Sequence, residues 1–165
     1  MADQTDAEQG KRRRLPIARP TATAATREVT AADVFALQPG LARLMPQIGD
    51  RMWRLYHAAA AGNWPLAHYQ LRHTIKLFEL GNVTRPKYAG DVDDYLSAAL
   101  APLREAILAE DPARFRTAYA EAVRSGNEYH DRWKKPYIVW RCPETPPVDL
   151  ELTPRPGFPA TDRGA

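Results

Sequence analysis

The feature that most constrains the fold is the spacing of apolar and aromatic residues between Ala113 and Cys142. These residues recur at every third or fourth position, which places their side chains on one face of an α-helix. The face comprises Phe115, Tyr119, Ala122, Gly126, Tyr129, His130 and Trp133. The spacing predicts a long amphipathic helix that ends in an aromatic cluster with a histidine. Because Gly126 costs about 1 kcal/mol relative to alanine in a helix interior, we expect it to leave space for a neighbouring helix or for a ligand.

Three further amphipathic segments precede this helix. They cover residues 41–61, residues 64–80, and a stretch that begins near Asp91 and that Pro102 should kink or divide. Asn63 is expected to cap the second segment, Gly81-Asn82 to end it, and Asp111-Pro112 to start the last helix. Helices joined by short connections favour antiparallel neighbours. The prediction is an all-α protein, an antiparallel four-helix bundle with extended N- and C-terminal tails.

The second segment is apolar on two sides. One side carries Trp64, Ala67, Leu71, Ile75 and Phe78, and the other carries Leu66, Tyr69, His73, Leu77 and Leu80. A helix of this kind lies at the centre of its fold or in an oligomer interface. A homodimer is therefore expected.

Proline marks the ends of the domain. Many of the 15 prolines lie before residue 40 or after residue 142, where they disfavour helix. The chain is expected to divide into a flexible arm over residues 1–40, the bundle over residues 41–142 and a Pro-rich tail over residues 143–165. Residues 136–140 are apolar and β-branched, and we expect them to pack back across the bundle as extended chain.

Charge and composition exclude several classes of function. The net charge is +3, and the run Lys11–Arg14 indicates a solvated arm, so no nucleic-acid partner is expected. No apolar run approaches the roughly 20 residues of a membrane span, and no signal-peptide core precedes the domain. We expect no membrane partner and a cytoplasmic location. Cys142 is the single cysteine, which excludes an intramolecular disulfide, and the four histidines lack metal-ligand spacing, so no metal is predicted.

Three stretches carry a resemblance to a known family: GNWPLAHYQL, EDPARFRTAYAEAV and HDRWKKPYIVWRCPETPP. Over roughly residues 44 to 147 the chain resembles a bacterial c-type cytochrome family with a cytochrome c′-like four-helix bundle. In that family the last helix ends in a C-x-x-C-H motif that attaches haem. Here Gly126 and Tyr129 stand at the two cysteine positions, while His130 stands at the histidine position. The resemblance implies the fold. Covalent attachment of haem at this motif is excluded, because neither motif position carries a thiol to react with the vinyl groups.

The leading functional hypothesis is a bundle without haem whose interior holds a pocket for a small apolar molecule with one polar handle. Such a pocket could perform cofactor-independent acid/base chemistry, as a lyase, an isomerase or an epoxide-opening hydrolase. The candidate catalytic residues are His73, His130, Tyr69 and Asp131, and the candidate ligand-binding residues are Gln70, Tyr119, Gly126, Tyr129 and Trp133. The alternative for each of these residues is an ordinary place in the core or at a helix end.

Two other hypotheses stay open. His130 could be the iron ligand of a non-covalent haem b, which would make the protein a haem carrier or a gas sensor. No other cofactor is predicted. Alternatively, the two-sided second helix indicates a dimeric structural or interaction bundle.

Overall fold

The computed structural model describes residues 29–157, and these residues form an all-α protein in which no strand occurs. The predicted all-α class is confirmed. Residues 1–28 of the predicted arm, with Lys11–Arg14, and residues 158–165 of the predicted tail lie outside the described residues. The α-helices of the described range are α1 (Ala31–Leu37), α2 (Leu41–Ala60), α3 (Trp64–Thr84), α4 (Ala89–Tyr95), α5 (Ala101–Leu108) and α6 (Pro112–Arg132).

The predicted helix caps are confirmed. The Asn63 side chain accepts a hydrogen bond from the N–H of Leu66 at 3.2 Å, at the start of α3. Asp111 accepts from the N–H groups of Ala113 and Arg114 at 2.9 and 3.0 Å, at the start of α6. These side chains satisfy backbone donors that have no partner inside the helix.

The predicted end of the second segment is wrong, because α3 continues through Gly81 and Asn82 to Thr84. Gly81 is buried, and a Cβ atom there would lie 3.0 Å from Cδ2 of Leu41. Glycine at this position therefore allows α2 to approach α3 closely and does not end the helix.

Pro102 divides its segment as predicted. A π-helical turn, Leu96–Leu100, joins α4 to α5, and Pro102 lies in the first turn of α5. Proline lacks an N–H, and its ring clashes with the carbonyl of the fourth residue before it in a regular α-helix. Widening the preceding turn relieves that clash, which accounts for the π turn.

The core is built by side chains from α2 to α6. Its largest fully buried members include Leu44, Leu55, Leu71, Leu100, Leu103, Ile107 and Phe115. α2 packs against α3 and α6, and α5 packs against α3 and α6. α2 and α5 therefore each lie against both α3 and α6. Within residues 29–157 no helix combines the length and the apolar composition that crossing a bilayer requires.

Residues 133–157, called the strap below, return along α2 after α6 ends. Trp140 lies on Gly49, and four further contacts follow α2 towards its C-terminus and the start of α3. They join Thr145 to Trp53, Asp149 to Arg54, Pro143 to His57 and Thr153 to Asn63. The predicted packing of residues 136–140 across the helices as extended chain is confirmed only for Trp140. Residues 136 and 137 form a turn, and Tyr137 and Val139 are exposed.

Candidate functional site

The residues that the sequence predicts for a site fall into separate groups. Tyr69, Gln70 and His73 lie on α3, whereas Gly126, Tyr129, His130 and Asp131 lie near the end of α6, with Trp133 directly after it. Tyr119 lies between these groups in the core. The arrangement of each group shows what its side chains can do.

The α3 group lies at a shallow groove between α2 and α3. The rings of Tyr69 and His73 are 4.4 Å apart, and Gln70 accepts a hydrogen bond from Arg51 at 3.0 Å. Tyr69 is half exposed, at 49%. The groove encloses about 560 Å³ and is lined by Pro46, Gln47, Asp50, Arg51, Arg54, Tyr69 and Gln70. It holds two of the candidate residues and opens to solvent.

The pKa of His73 lies below its ordinary value of 6.5. Partial desolvation is the main cause, and the positive charges of Arg51, Lys76 and Arg72 add to it. At neutral pH the imidazole is therefore uncharged.

Tyr119 is buried in the core, and its hydroxyl is used in a hydrogen bond within the fold. Its hydroxyl donates to the carbonyl of Met52 at 3.0 Å, and the hydroxyl of Tyr95 donates to the carbonyl of Ala122 at 3.1 Å. Burial raises the pKa of both phenols well above the ordinary value of 10, so both keep their protons. Each phenol thus ties two helices together through a helix carbonyl.

Gly126 lies beside Tyr95 of α4, but the space that it was expected to leave for a helix or a ligand is not required here. A Cβ atom there would lie 3.6 Å from the hydroxyl oxygen of Tyr95, at an ordinary packing distance. The rings of Tyr95 and Tyr129 stand 6.0 Å apart in an edge-to-face arrangement. Aromatic side chains from α4 and α6 therefore occupy the space beside Gly126.

Asn127 and His130 hold the strap. They lie three residues apart on α6, hence on one face. His130 Nδ1 lies 2.9 Å from the carbonyl oxygen of Ile138, which can only accept, so Nδ1 carries the proton. Asn127 donates to the carbonyl of Trp140 and accepts from its N–H, both at 2.9 Å. We call these three hydrogen bonds the clamp.

Two residues that complete this arrangement were missed by the sequence analysis, namely Gly49 and Asn127. A Cβ atom on Gly49 would lie only 2.8 Å from Nε1 of Trp140, so the indole requires glycine there. A glycine inside the apolar stripe of α2 was the available signal for the close approach of the Trp140 indole to α2.

Cys142 lies two residues after Trp140. Its thiol is partly buried, and desolvation raises its pKa.

A second set of contacts fixes the start of the strap on α4. Asp91 accepts hydrogen bonds from the indole N–H of Trp133 and from Arg132, both at 2.7 Å. These bonds lower the pKa of Asp91, with Trp133 as the larger cause. The ring of Trp133 also packs against Tyr88, with centroids 4.5 Å apart. Asp131 is exposed to solvent.

No group of three or more His, Cys, Asp or Glu residues suited to a metal ion occurs between residues 29 and 157. Comparison with protein-family models, curated proteins and solved structures finds no match. The resemblance to c-type cytochromes therefore stays a prediction.

Replacing Asn127 with alanine should release the strap. The change leaves the N–H and the carbonyl of Trp140 without their partner, and each hydrogen bond contributes about 1 kcal/mol. We expect a loss of about 1–3 kcal/mol in the free energy of unfolding and faster tryptic cleavage after Arg141. The control is Glu128→Gln, an exposed neighbour on α6. Equal cleavage rates in Asn127→Ala and wild type would contradict the clamp.

The acid dependence of stability tests the contact between Asp91 and Trp133. A carboxylate with a lowered pKa in the folded state stabilises the protein above its unfolded pKa, and this contribution is lost as the pH falls through the folded pKa. Asp91→Asn should therefore be less stable than wild type at pH 7, and the difference should shrink below the ordinary value of 3.8. Chemical denaturation at several pH values measures it. A difference that stays constant across this range would show that the charge of Asp91 has no part in the contact.

Proposed function

We propose that this chain is an interaction module that forms a homodimer through the outward face of α3. We also propose that α2, α3, the combined α4–α5 segment and α6 form an antiparallel four-helix bundle. Short turns join these segments, and each segment packs against the one before it, which supports up-and-down topology. The observation that carries the functional proposal is a row of six side chains along the outer side of α3, four of them apolar.

This row, called the α3 seam, has the spacing of a coiled-coil contact. Its members follow one another at intervals of three and four residues: Leu66, Tyr69, His73, Lys76, Leu80 and Val83. Leu80 and Val83 are 39% and 74% exposed, and Tyr69 is half exposed. The opposite side of α3, which includes Ala67, Leu71 and Phe78, is buried in the core. Water-exposed apolar groups on a regular seam are suited to bind another helix.

The α3 seam is complementary to itself. With two copies of α3 antiparallel about a two-fold axis midway between His73 and Lys76, Leu66 comes opposite Val83 and Tyr69 comes opposite Leu80. A two-fold axis repeats each of these pairs. His73 comes opposite Lys76, and the lowered pKa of His73 favours the uncharged imidazole at that point, which lessens like-charge repulsion.

Charges beside the α3 seam fit the same pairing. Arg72 and Glu79 lie seven residues apart along one flank of the seam. In the antiparallel arrangement, Arg72 of each copy lies two residues from the position opposite Glu79 of the other, within reach of an ion pair on each side of the axis. Such flanking pairs set partner choice and helix orientation.

The arrangement of the candidate catalytic residues favours this proposal over the enzyme hypothesis. His73 belongs to an outward seam, and His130 donates its Nδ1 proton to the strap. An acid/base site needs such groups within hydrogen-bond reach of one reacting molecule. Tyr69 and His73 lie together on α3, with ring centroids 4.4 Å apart, but His130 lies on α6 against the strap and Asp131 is exposed beside it.

Sedimentation velocity over a dilution series tests the dimer. The double variant Leu80→Asp/Val83→Asp places carboxylates in the α3 seam and should raise the dimer dissociation constant at least about tenfold. Val148→Asp is the control, because Val148 is 97% exposed on the strap. A wild-type protein that stays monomeric at high concentration would overturn the proposal.

A charge exchange tests the orientation of the two helices. Glu79→Arg alone should weaken the dimer, because it places an arginine near Arg72 of the other copy. The double variant Arg72→Glu/Glu79→Arg should restore it, since the pairs reform with reversed polarity. Failure of the double variant to recover while each variant remains folded would exclude the antiparallel register.

Titration with haemin separates the interaction module from the haem hypothesis. Because the rings of Tyr95 and Tyr129 occupy the space beside Gly126, we expect no Soret band that depends on His130. Absorption spectra of wild type and His130→Ala with equimolar haemin measure this. A stoichiometric band that disappears in His130→Ala would support the haem carrier instead.

A further inference from the structure

We propose that the tip of the strap, residues 134–141, docks on the surface of an anionic phospholipid membrane. No membrane partner was predicted from the sequence, because no segment is long enough to span a bilayer. The exposed tip becomes visible only once the strap is placed on the helices. It is separate from the α3 seam, because the strap tip is held by α6 and contacts α2.

Apolar side chains project from the strap tip into water. Tyr137 is 80% exposed and Val139 is 70% exposed, while Ile138 between them is 41% exposed. Exposed aliphatic groups lose contact with water when they enter the boundary between lipid headgroups and chains. Tyrosine is enriched at that boundary because its ring is apolar and its hydroxyl is polar.

Cations flank these apolar side chains. Lys134 and Lys135 precede them and Arg141 follows, and no acidic residue occurs between positions 132 and 143. The nearest acidic residues in sequence are Asp131 and Glu144, one beyond each end. The tip therefore combines a local positive charge with projecting apolar groups, which complements a surface of anionic headgroups over hydrocarbon.

The clamp prevents these side chains from folding back onto the protein. Asn127 fixes Trp140 at both backbone groups, and His130 fixes Ile138. Trp140 faces inward on Gly49, so Tyr137 and Val139 stay outside. Because the backbone is already ordered, docking requires little loss of conformational entropy.

An acidic polypeptide is the other partner with the right charge. It would satisfy the cations, but it offers no apolar phase for Tyr137 and Val139. A bilayer surface satisfies both features at once, so we favour it.

Co-sedimentation of the full-length chain with vesicles tests the proposal. Vesicles of phosphatidylcholine with about one-third phosphatidylserine should bind the protein at low salt, and pure phosphatidylcholine should bind it much more weakly. Binding should weaken as salt rises, because screening acts on exposed charges. Each cation near such a surface strengthens binding roughly fivefold, so Lys134→Gln/Lys135→Gln/Arg141→Gln should weaken it roughly a hundredfold.

The apolar contribution is measured with Tyr137→Ser/Val139→Ser, which should weaken vesicle binding without changing the unfolding midpoint. The matched controls are Val148→Ser, on an exposed part of the strap, and Arg116→Gln, near the opposite end of α6; neither should alter binding. A further full-length variant neutralises Lys11–Arg14 and should retain binding.

Three results would overturn the proposal. The first is no difference between the two vesicle types. The second is loss of binding on neutralising Lys11–Arg14 while the strap variants bind normally. The third is binding of polyglutamate without binding of vesicles, which would assign the tip to an acidic polypeptide.

Discussion

The packing of the Trp140 indole on Gly49 is the contact that fixes the path of the strap over the helices. Only a residue without a Cβ atom leaves space for the indole on α2. With the indole in place, Asn127 can satisfy both backbone groups of Trp140, and the chain beyond it follows α2. The strap contributes almost no regular secondary structure, so side chains of the helices must supply the partners that a sheet would supply.

Two surfaces of different character result from this arrangement. On α6 and α2, the strap covers the helices and presents its own side chains outward. On α3, the helix itself faces water with leucine, tyrosine and valine. Because different elements present the two surfaces, the proposed second copy on α3 and the proposed lipid surface at the strap tip would not compete for the same residues.

The sequence predicted features that depend on near neighbours. Asn63 and Asp111 were identified as caps because the partners of a cap lie two or three residues away. Pro102 was identified as a break because a missing N–H acts locally, although the π turn that accommodates it was not predicted. Gly81 was misread as a helix end, since only the position of Leu41 reveals its packing role. Gly49 and His130 could not be interpreted from the sequence for the same reason. Their partners, Trp140 and Ile138, lie in the strap, and the spacing of residues along a helix does not predict contacts with the strap. The stripe of α3 was recognised, but which of its two sides faces water depends on how the helices pack.

The ion pair between Arg54 and Asp149 has a consequence for the order of folding. Two parallel hydrogen bonds of 3.0 and 3.1 Å join residues 95 positions apart. Closing so long a loop costs chain entropy, which local helix formation does not require. The surface that receives the strap exists only after α2 and α6 have come together. The strap should consequently attach last during folding and detach first under stress, so that its amides exchange with solvent hydrogen while the helical core remains protected.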